Sequence, residues 1–124
     1  MKTYRVIIAG SRKFSDYQKL KENCDRILRE KLEDEECCVI IVSGHAQGAD
    51  TLGEQYARER GLQLDAHPAD WKKYGRSAGV IRNKEMAENA DALIAFPQEG
   101  EENRGTRNMV KIALTRGLTC NIVE

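Results

Sequence analysis

Short apolar runs recur five times along this chain, and segments with helical spacing separate them. Short runs of this kind, bounded by turn residues or polar loops, are typical of buried β-strands. They predict strands at Tyr4–Ala9, Cys38–Val42, Leu62–Ala66, Asp91–Phe96 and Leu118–Val123. Because the strands read as continuous apolar runs joined by helices, we expect a parallel sheet that is covered on both faces.

The segments between the runs carry apolar residues at helical spacing. Helices are predicted at Asp16–Leu32, Ala49–Arg60, Val80–Asn89 and Gly105–Arg116, and irregular loops at His67–Gly79 and Pro97–Asn103. Asp16 is expected to cap the first helix, and Gly61 to end the second. In the last helix, the residues expected to face inward are Met109, Val110, Ala113 and Leu114. The result is an α/β fold in one domain, residues 1–124.

Charge and hydropathy exclude several classes of protein. The formal net charge is +0, with 20 basic and 20 acidic residues, whereas proteins that coat nucleic acid or anionic membranes need a basic face. The chain contains no apolar stretch long enough for a membrane span, and its N-terminus lacks a signal-peptide core. Its four cysteines have no metal-ligand spacing. We therefore expect a cytoplasmic protein with reduced cysteines, no metal site and no membrane contact.

The loops after the strands are the informative segments, because in parallel sheets they form the ligand crevice. Gly10, Ser11 and Arg12 follow the first strand. Gly10 allows a tight turn or close approach to a ligand, Ser11 offers a hydroxyl, and Arg12 offers a fork for phosphate or carboxylate. A plain turn with a surface arginine is the alternative interpretation.

The loop after the second strand reads Ser43-Gly44-His45-Ala46-Gln47-Gly48-Ala49-Asp50. It leads into a helix N-terminus, where free amides and the helix dipole favour an anion. Its spacing matches neither the dinucleotide-binding fingerprint nor a P-loop. Asp50 is interpreted either as the helix N-cap or as an acceptor for a ribose hydroxyl.

Two further loops carry polar groups suited to a ligand. Trp71, the single tryptophan, is either a half-buried anchor or a stacking surface for a base. Arg82 and Asn83 are polar residues that an apolar helix face does not need. Before the last helix, the residues that could cradle a phosphate or flank it are Arg104, Gly105, Thr106 and Arg107. Together with Arg12, these arginines favour a small anionic ligand rich in hydroxyls, such as a nucleotide.

Four blocks of the chain resemble the SLOG superfamily, and its YspA/YpsA-related branch in particular. They are G-S-R-x-F-x-D (Gly10–Asp16), S-G-x-A-x-G-A-D (Ser43–Asp50), P-A-D-W-x-x-Y-G-x-x-A-G-x-x-R-N-x-x-M (Pro68–Met86) and G-T-x-x-M (Gly105–Met109). More distant relatives are the LOG phosphoribohydrolases and DprA. The resemblance implies a Rossmann-like three-layer α/β/α sandwich with a five-stranded parallel sheet. It also implies a nucleotide-binding or NAD-derivative pocket lined by Gly10, Ser11, Ser43, Gly44, Gly48, Arg82, Asn83, Gly105 and Thr106.

The sequence departs from its relatives at two positions. LOG hydrolases carry P-G-G-x-G-T-x-x-E, whose glutamate assists cleavage of the N-glycosidic bond, and Met109 stands at that position here. A thioether cannot transfer a proton or stabilise an oxocarbenium ion. The closer branch usually has glycine where this chain has His45, which brings a titratable ring near the predicted pocket.

Three functions remain open. The first is a sensor or processing module that binds a nucleotide-derived ligand, requires no cofactor and acts as a homo-oligomer. The second is a nucleotide N-glycosidase, for which the candidate catalytic residues are His45, Asp50 and Asp70. The third is binding of single-stranded nucleic acid. Neutral charge and low aromatic content argue against it, because such grooves need a basic track with stacking rings.

Overall fold

The fold is an α/β sandwich built on a parallel five-stranded sheet. The computed structural model describes residues 1–98 and 103–124. Its strands are β1 (Lys2–Gly10), β2 (Cys37–Ser43), β3 (Gln63–Ala66), β4 (Ala92–Phe96) and β5 (Thr119–Ile122). Its helices are α1 (Tyr17–Ile27), α2 (Arg29–Glu33), α3 (Ala49–Arg60), α4 (Trp71–Tyr74), α5 (Ala78–Glu88) and α6 (Arg104–Thr115), with a 3-10 turn at Gly75–Ser77.

The sheet order is β3-β2-β1-β4-β5, and every pairing is parallel. One face of the sheet packs against α1 and α3 through a core that includes Val6, Ile41 and Tyr56. The other face packs against α5 and α6 through Ile7, Met86 and Met109, among others. The predicted Rossmann-like three-layer sandwich is therefore confirmed.

The strand order places β1 between β2 and β4. The chain continues from β1 to the strands on one side of it and then crosses to the strands on the other side. At the carboxyl edge Gly10 of β1 pairs with Phe96 of β4. A crevice outside this point is where open α/β sheets bind ligands. The fold therefore predicts a ligand site at the loops after β1 and β4.

Two of the helices differ from the sequence prediction, one in its continuity and one in its buried face. The predicted helix Asp16–Leu32 is divided into α1 and α2 at Leu28, which is fully buried and leaves the helical conformation. Asp16 does cap α1, because its side chain accepts a hydrogen bond from the amide of Lys19 (3.1 Å). Leu114 does not face inward, since 61% of its surface is exposed.

The predicted loop His67–Gly79 contains α4 and the 3-10 turn, so its description as irregular was wrong. Asp70 stabilises α4 by accepting a hydrogen bond from the amide of Lys73 (3.1 Å). Gly75 ends the helix with a positive φ of 55°. The predicted loop Pro97–Asn103 falls largely on residues 99–102, outside the described residues. Among the described residues, no helix is both long and apolar enough to cross a bilayer.

Candidate functional site

A cleft of about 550 Å³ opens at the carboxyl edge of the sheet, outside β1 and β4. Cavities of this size typically hold small ligands. Most of the predicted ligand-binding residues line it: Gly10, Ser11, Arg12, Asp50, Trp71, Arg82, Asn83, Arg104, Gly105 and Thr106. The predicted residues outside the lining are Ser43, Gly44, His45, Gly48 and Asp70, and Arg107 also lies outside it.

The N-terminus of α6 forms one end of the cleft. The amide of Arg107 donates to the carbonyl of Asn103 (2.8 Å), which closes the first helical turn. The amides of Gly105 and Thr106 precede that bond, so they have no partner within the helix. Among the described residues outside its own helix backbone and chain neighbours, no heavy atom lies within 4 Å of the position that a Cβ on Gly105 would take. The amides and the dipole of this helix end favour an anion.

The side chain of Asn103 ties the start of α6 to the end of β4. Its Oδ1 accepts from the amide of Gln98 (3.3 Å), and its Nδ2 donates to the Gln98 carbonyl (3.1 Å). Asn83, on α5, donates to Asn108 Oδ1 (2.9 Å). These amide contacts hold the start of α6 in place from both sides, so this helix end is positioned before any ligand arrives.

The N-terminus of α3 is occupied by the protein itself. The carbonyl of Ser11 accepts the amide of Ala49 at 3.2 Å. Gly48 is the N-cap residue with φ 82°, and a side chain there would collide with the backbone of Ser11 and Arg12. The loop after β1 therefore fills the place where the sequence suggested an anion, so the N-terminus of α3 does not provide that site.

Asp50 is the one acidic side chain among the described residues that line the cleft. Interpreting it as the N-cap was wrong, because it lies in the first turn of α3, where its Oδ2 accepts from the amide of Ala46 (3.3 Å). Only 7% of its surface is exposed. Burial raises the pKa of Asp50 to about 6, although the Ala46 amide and the charge of Arg82 oppose the rise.

Arg82 spans the cleft wall between α5 and the loop after β2. Its Nη1 donates to the carbonyl of Gly44 (2.5 Å), and its Nε donates to Asn83 Oδ1 (3.0 Å). A Cβ on Gly44 would lie within 3 Å of both Arg82 Nη1 and Asp50 Oδ2. Glycine at this position therefore lets the guanidinium and the carboxylate approach each other. Burial lowers the pKa of Arg82, and the charge of Asp50 opposes that effect.

Ser43, His45 and Glu54 form a cluster behind the cleft wall. The Ser43 hydroxyl donates to Glu54 Oε2 (2.8 Å), and His45 Nδ1 lies 2.8 Å from the same oxygen. The amide of His45 donates to Ser43 Oγ (3.0 Å). His45 has a φ of 59°, and 60% of its side chain is exposed. Its ring therefore faces solvent and Glu54, and it does not reach the cleft.

Asp70 and Met109 also bear on catalysis. The Asp70 carboxylate caps α4 and does not line the cleft. Met109 does line it and is almost fully buried, so the position that holds the glutamate of LOG hydrolases contributes an apolar surface to the cleft. Within residues 1–98 and 103–124, no group of three or more metal-ligating side chains comes together.

The sequence did not single out Glu54 or Arg76. Glu54 is buried one helical turn after Asp50, on the inward face of α3. The four-residue spacing of these two carboxylates was the sequence signal that could have placed Glu54 on the same face of the helix as Asp50. Arg76 lines the cleft from the 3-10 turn. The position of Arg76 depends on this turn, which the local pattern of apolar and polar residues did not predict.

Comparison with known proteins gives three similarities. The YspA, cpYpsA-related SLOG family matches residues 4–74. The Gene 61 protein of Mycobacterium phage D29 is 33% identical over 120 residues, which cover 92% of this chain and 91% of that protein. DNA processing protein A (DprA) from Streptococcus pneumoniae superposes with a TM-score of 0.69 at 18% identity. That alignment covers 99% of this chain and half of the DprA chain, and at this identity it shows the fold alone.

Proposed function

The chain belongs to the YspA, cpYpsA-related SLOG family, and on that basis we propose that it binds a nucleotide or nucleotide-derived ligand in the cleft. The ligand is of the nucleoside monophosphate, NAD or ADP-ribose type. The single observation that carries the proposal is the N-terminus of α6, where Gly105 and Thr106 line a cleft that Arg12 and Arg82 also line. Amides at a helix N-terminus and guanidinium groups are the usual partners of phosphate.

Binding without chemistry is the role that the geometry favours. Two of the three candidate catalytic residues, His45 and Asp70, lie outside the cleft lining and have other contacts. Met109 supplies no acid or base. The protein thus acts as a sensor or processing module that needs no cofactor, and its assembly into a homo-oligomer stays a prediction for light scattering to test.

Thermal shift and calorimetry with AMP, NAD and ADP-ribose test the binding proposal. We expect at least one of these nucleotides to raise the melting temperature, because a ligand at about 100 times its Kd stabilises a protein by roughly 2.7 kcal/mol. Arg82→Ala should abolish that shift. Since Arg82 also bonds to Gly44, circular dichroism must establish that the free variant is folded.

Arg104 and Arg107 offer a matched pair on α6, because Arg104 lines the cleft and Arg107 does not. Arg104→Ala should weaken nucleotide binding, whereas Arg107→Ala should leave it unchanged. Equal effects of the two substitutions, or no shift with any of the three nucleotides, would contradict the proposal.

A nucleotide N-glycosidase is the second candidate, and Asp50 is the observation that favours it. A buried carboxyl whose pKa is raised to about 6 can act as a general acid or base near neutral pH. Hydrolysis would break the bond between C1′ of the ribose and the base nitrogen and place the hydroxyl of a water on C1′. The remaining proton would go to adenine when AMP is cleaved, and to solvent when NAD releases neutral nicotinamide. Incubation with AMP and NAD followed by chromatography tests this activity, with Asp50→Asn as the control. Absence of free base at high protein concentration would rule it out for those substrates.

A further inference from the structure

Trp71 stands at the rim of the cleft with 52% of its surface exposed. An exposed aromatic ring at the edge of a cleft offers a ligand a large, flat apolar face. Its neighbours in the cleft lining include Arg76, Gly79 and Val80. The ring and the partly exposed Val80 therefore give the rim a small apolar surface next to the cationic Arg76.

The backbone of Trp71 is held by α4. This helix is only four residues long, yet Asp70 caps it, the carbonyl of Asp70 accepts from the amide of Tyr74 (3.0 Å), and Gly75 donates its amide to the carbonyl of Trp71. A tryptophan on an unsupported loop would lose more backbone freedom on binding. Here the cap and the C-terminal bond have already ordered the backbone that carries the ring.

Trp71 and Arg82 approach the same glycine from two sides. A Cβ on Gly79 would lie 3.6 Å from Trp71 Cη2 and 4.0 Å from Arg82 Nη2. Because Gly79 has no side chain, the indole ring and the guanidinium group come close to each other at the first turn of α5, where both line the cleft. This pair suits a flat ligand with an apolar face and polar edges, since its face can stack on the ring and its edge can accept hydrogen bonds from the guanidinium.

We infer that Trp71 is the stacking platform for the nucleobase of the ligand, while the ligand's phosphate lies at the N-terminus of α6. This inference rests on the proposed function and deepens it, because it assigns the base and the phosphate to different parts of the cleft. It also makes Trp71 a determinant of specificity: ligands that carry a planar ring are preferred to the corresponding sugar phosphates.

AMP and ribose 5-phosphate are the probes that separate the two parts of the cleft, because they share the phosphate and ribose and differ in the base. By calorimetry, Trp71→Ala should weaken AMP binding about 10-fold or more, the effect typical of losing one base–aromatic stack. Its affinity for ribose 5-phosphate should equal that of the unmodified protein. Trp71→Phe keeps a ring and should retain most of the AMP affinity.

Tyr74→Ala is the matched control, since Tyr74 is a second exposed aromatic residue on α4 and does not line the cleft. We expect it to bind AMP as the unmodified protein does. Trp71 is the only tryptophan, so intrinsic emission reports on this ring alone. AMP should change the emission at saturation, and ribose 5-phosphate should not.

The possible outcomes separate the inference from the proposed function. If AMP binds by calorimetry but Trp71→Ala binds it equally well and the emission is unchanged, the base lies elsewhere and only the inference fails. If Trp71→Ala weakens AMP and ribose 5-phosphate equally, the ring supports the fold of the site and the inference also fails. If AMP, NAD and ADP-ribose all fail to bind, both the proposed function and the inference are wrong.

Discussion

The folded protein disfavours the ionised form of Asp50. Its pKa in the folded protein is about 6, above the usual value of 3.8. The folded state therefore holds the proton more tightly than the unfolded state, so the contribution of Asp50 to the free energy of unfolding falls as the pH rises between these two values. A shift of this size corresponds to about 2 to 3 kcal/mol.

Asp50→Asn removes this titration while keeping the shape of the side chain. Relative to the unmodified protein, we expect the variant to become more stable by about 2 to 3 kcal/mol as the pH is raised from about 4 to about 7.5. Urea unfolding at the two pH values measures the difference. If the variant and the unmodified protein differ by the same amount at both, the raised pKa of Asp50 is wrong.

His45 occupies a left-handed backbone conformation that favours glycine, with φ at 59°. His45→Gly relieves the strain, whereas His45→Ala keeps it, and both lose the contact between the ring and Glu54. We expect the glycine variant to be more stable than the alanine variant by about 1 kcal/mol in chemical denaturation. Both variants should bind nucleotides normally, and a loss of binding in either would place His45 in the site after all.

At the scale of elements, the contact between the loop after β1 and the start of α3 depends on Gly48. Gly48→Ala introduces a side chain against the backbone of Ser11 and Arg12, in addition to the strain of a positive φ. Gly117→Ala is the control, because its φ is 77° and no heavy atom of the described residues beyond its chain neighbours lies within 4 Å of its Cβ position. We expect the control to cost about 1 kcal/mol and Gly48→Ala to cost more than about 2 kcal/mol in thermal or urea unfolding. Similar losses would mean that the two loops do not constrain each other.

Sequence reasoning predicted the elements with strong local patterns. β1 and β4 are continuous apolar runs, and α3 ends at Gly61 as predicted, with that glycine in a left-handed conformation. It missed α4, because a four-residue helix has no periodicity to detect and depends on a side-chain cap at Asp70. The break at Leu28 was missed for a related reason: the apolar spacing continues through it, although the backbone does not.

The sequence predicted those residues of the candidate site whose position depends on a single loop. Gly105 and Thr106 were expected at a helix N-terminus that faces the crevice, and they line the cleft. Ser43 and His45 were expected to line it too, yet their side chains contact Glu54 instead, and only Ala46 and Asp50 of the predicted loop 43–50 line the cleft. The position of this loop depends on two contacts. One is with a buried carboxylate one helical turn beyond Asp50, and the other is between Ser11 and the start of α3. The spacing of residues within the loop does not predict either contact.

At the scale of the whole molecule, cationic side chains converge on the cleft while the formal net charge remains +0. Single-stranded nucleic acid needs a basic track that follows several phosphates. We therefore expect a twenty-nucleotide oligothymidine to bind no more tightly than a mononucleotide, and its binding to depend only weakly on salt. Fluorescence anisotropy at low and physiological salt checks this. Tight binding with a steep salt dependence would instead favour a nucleic-acid function.

The position of β1 in the centre of the sheet has a consequence for the order in which the protein acquires its structure. Its edge toward β2 can pair early, since β2 follows after one helical segment, but its other edge waits for β4, which comes much later in the chain. Until β4 has been synthesised, the nascent chain exposes an unpaired edge of the apolar strand β1. Unpaired edges of this kind pair with strands of other chains. Chaperone contact during translation should therefore concentrate on intermediates in which β1 and β2 have been synthesised and β4 has not.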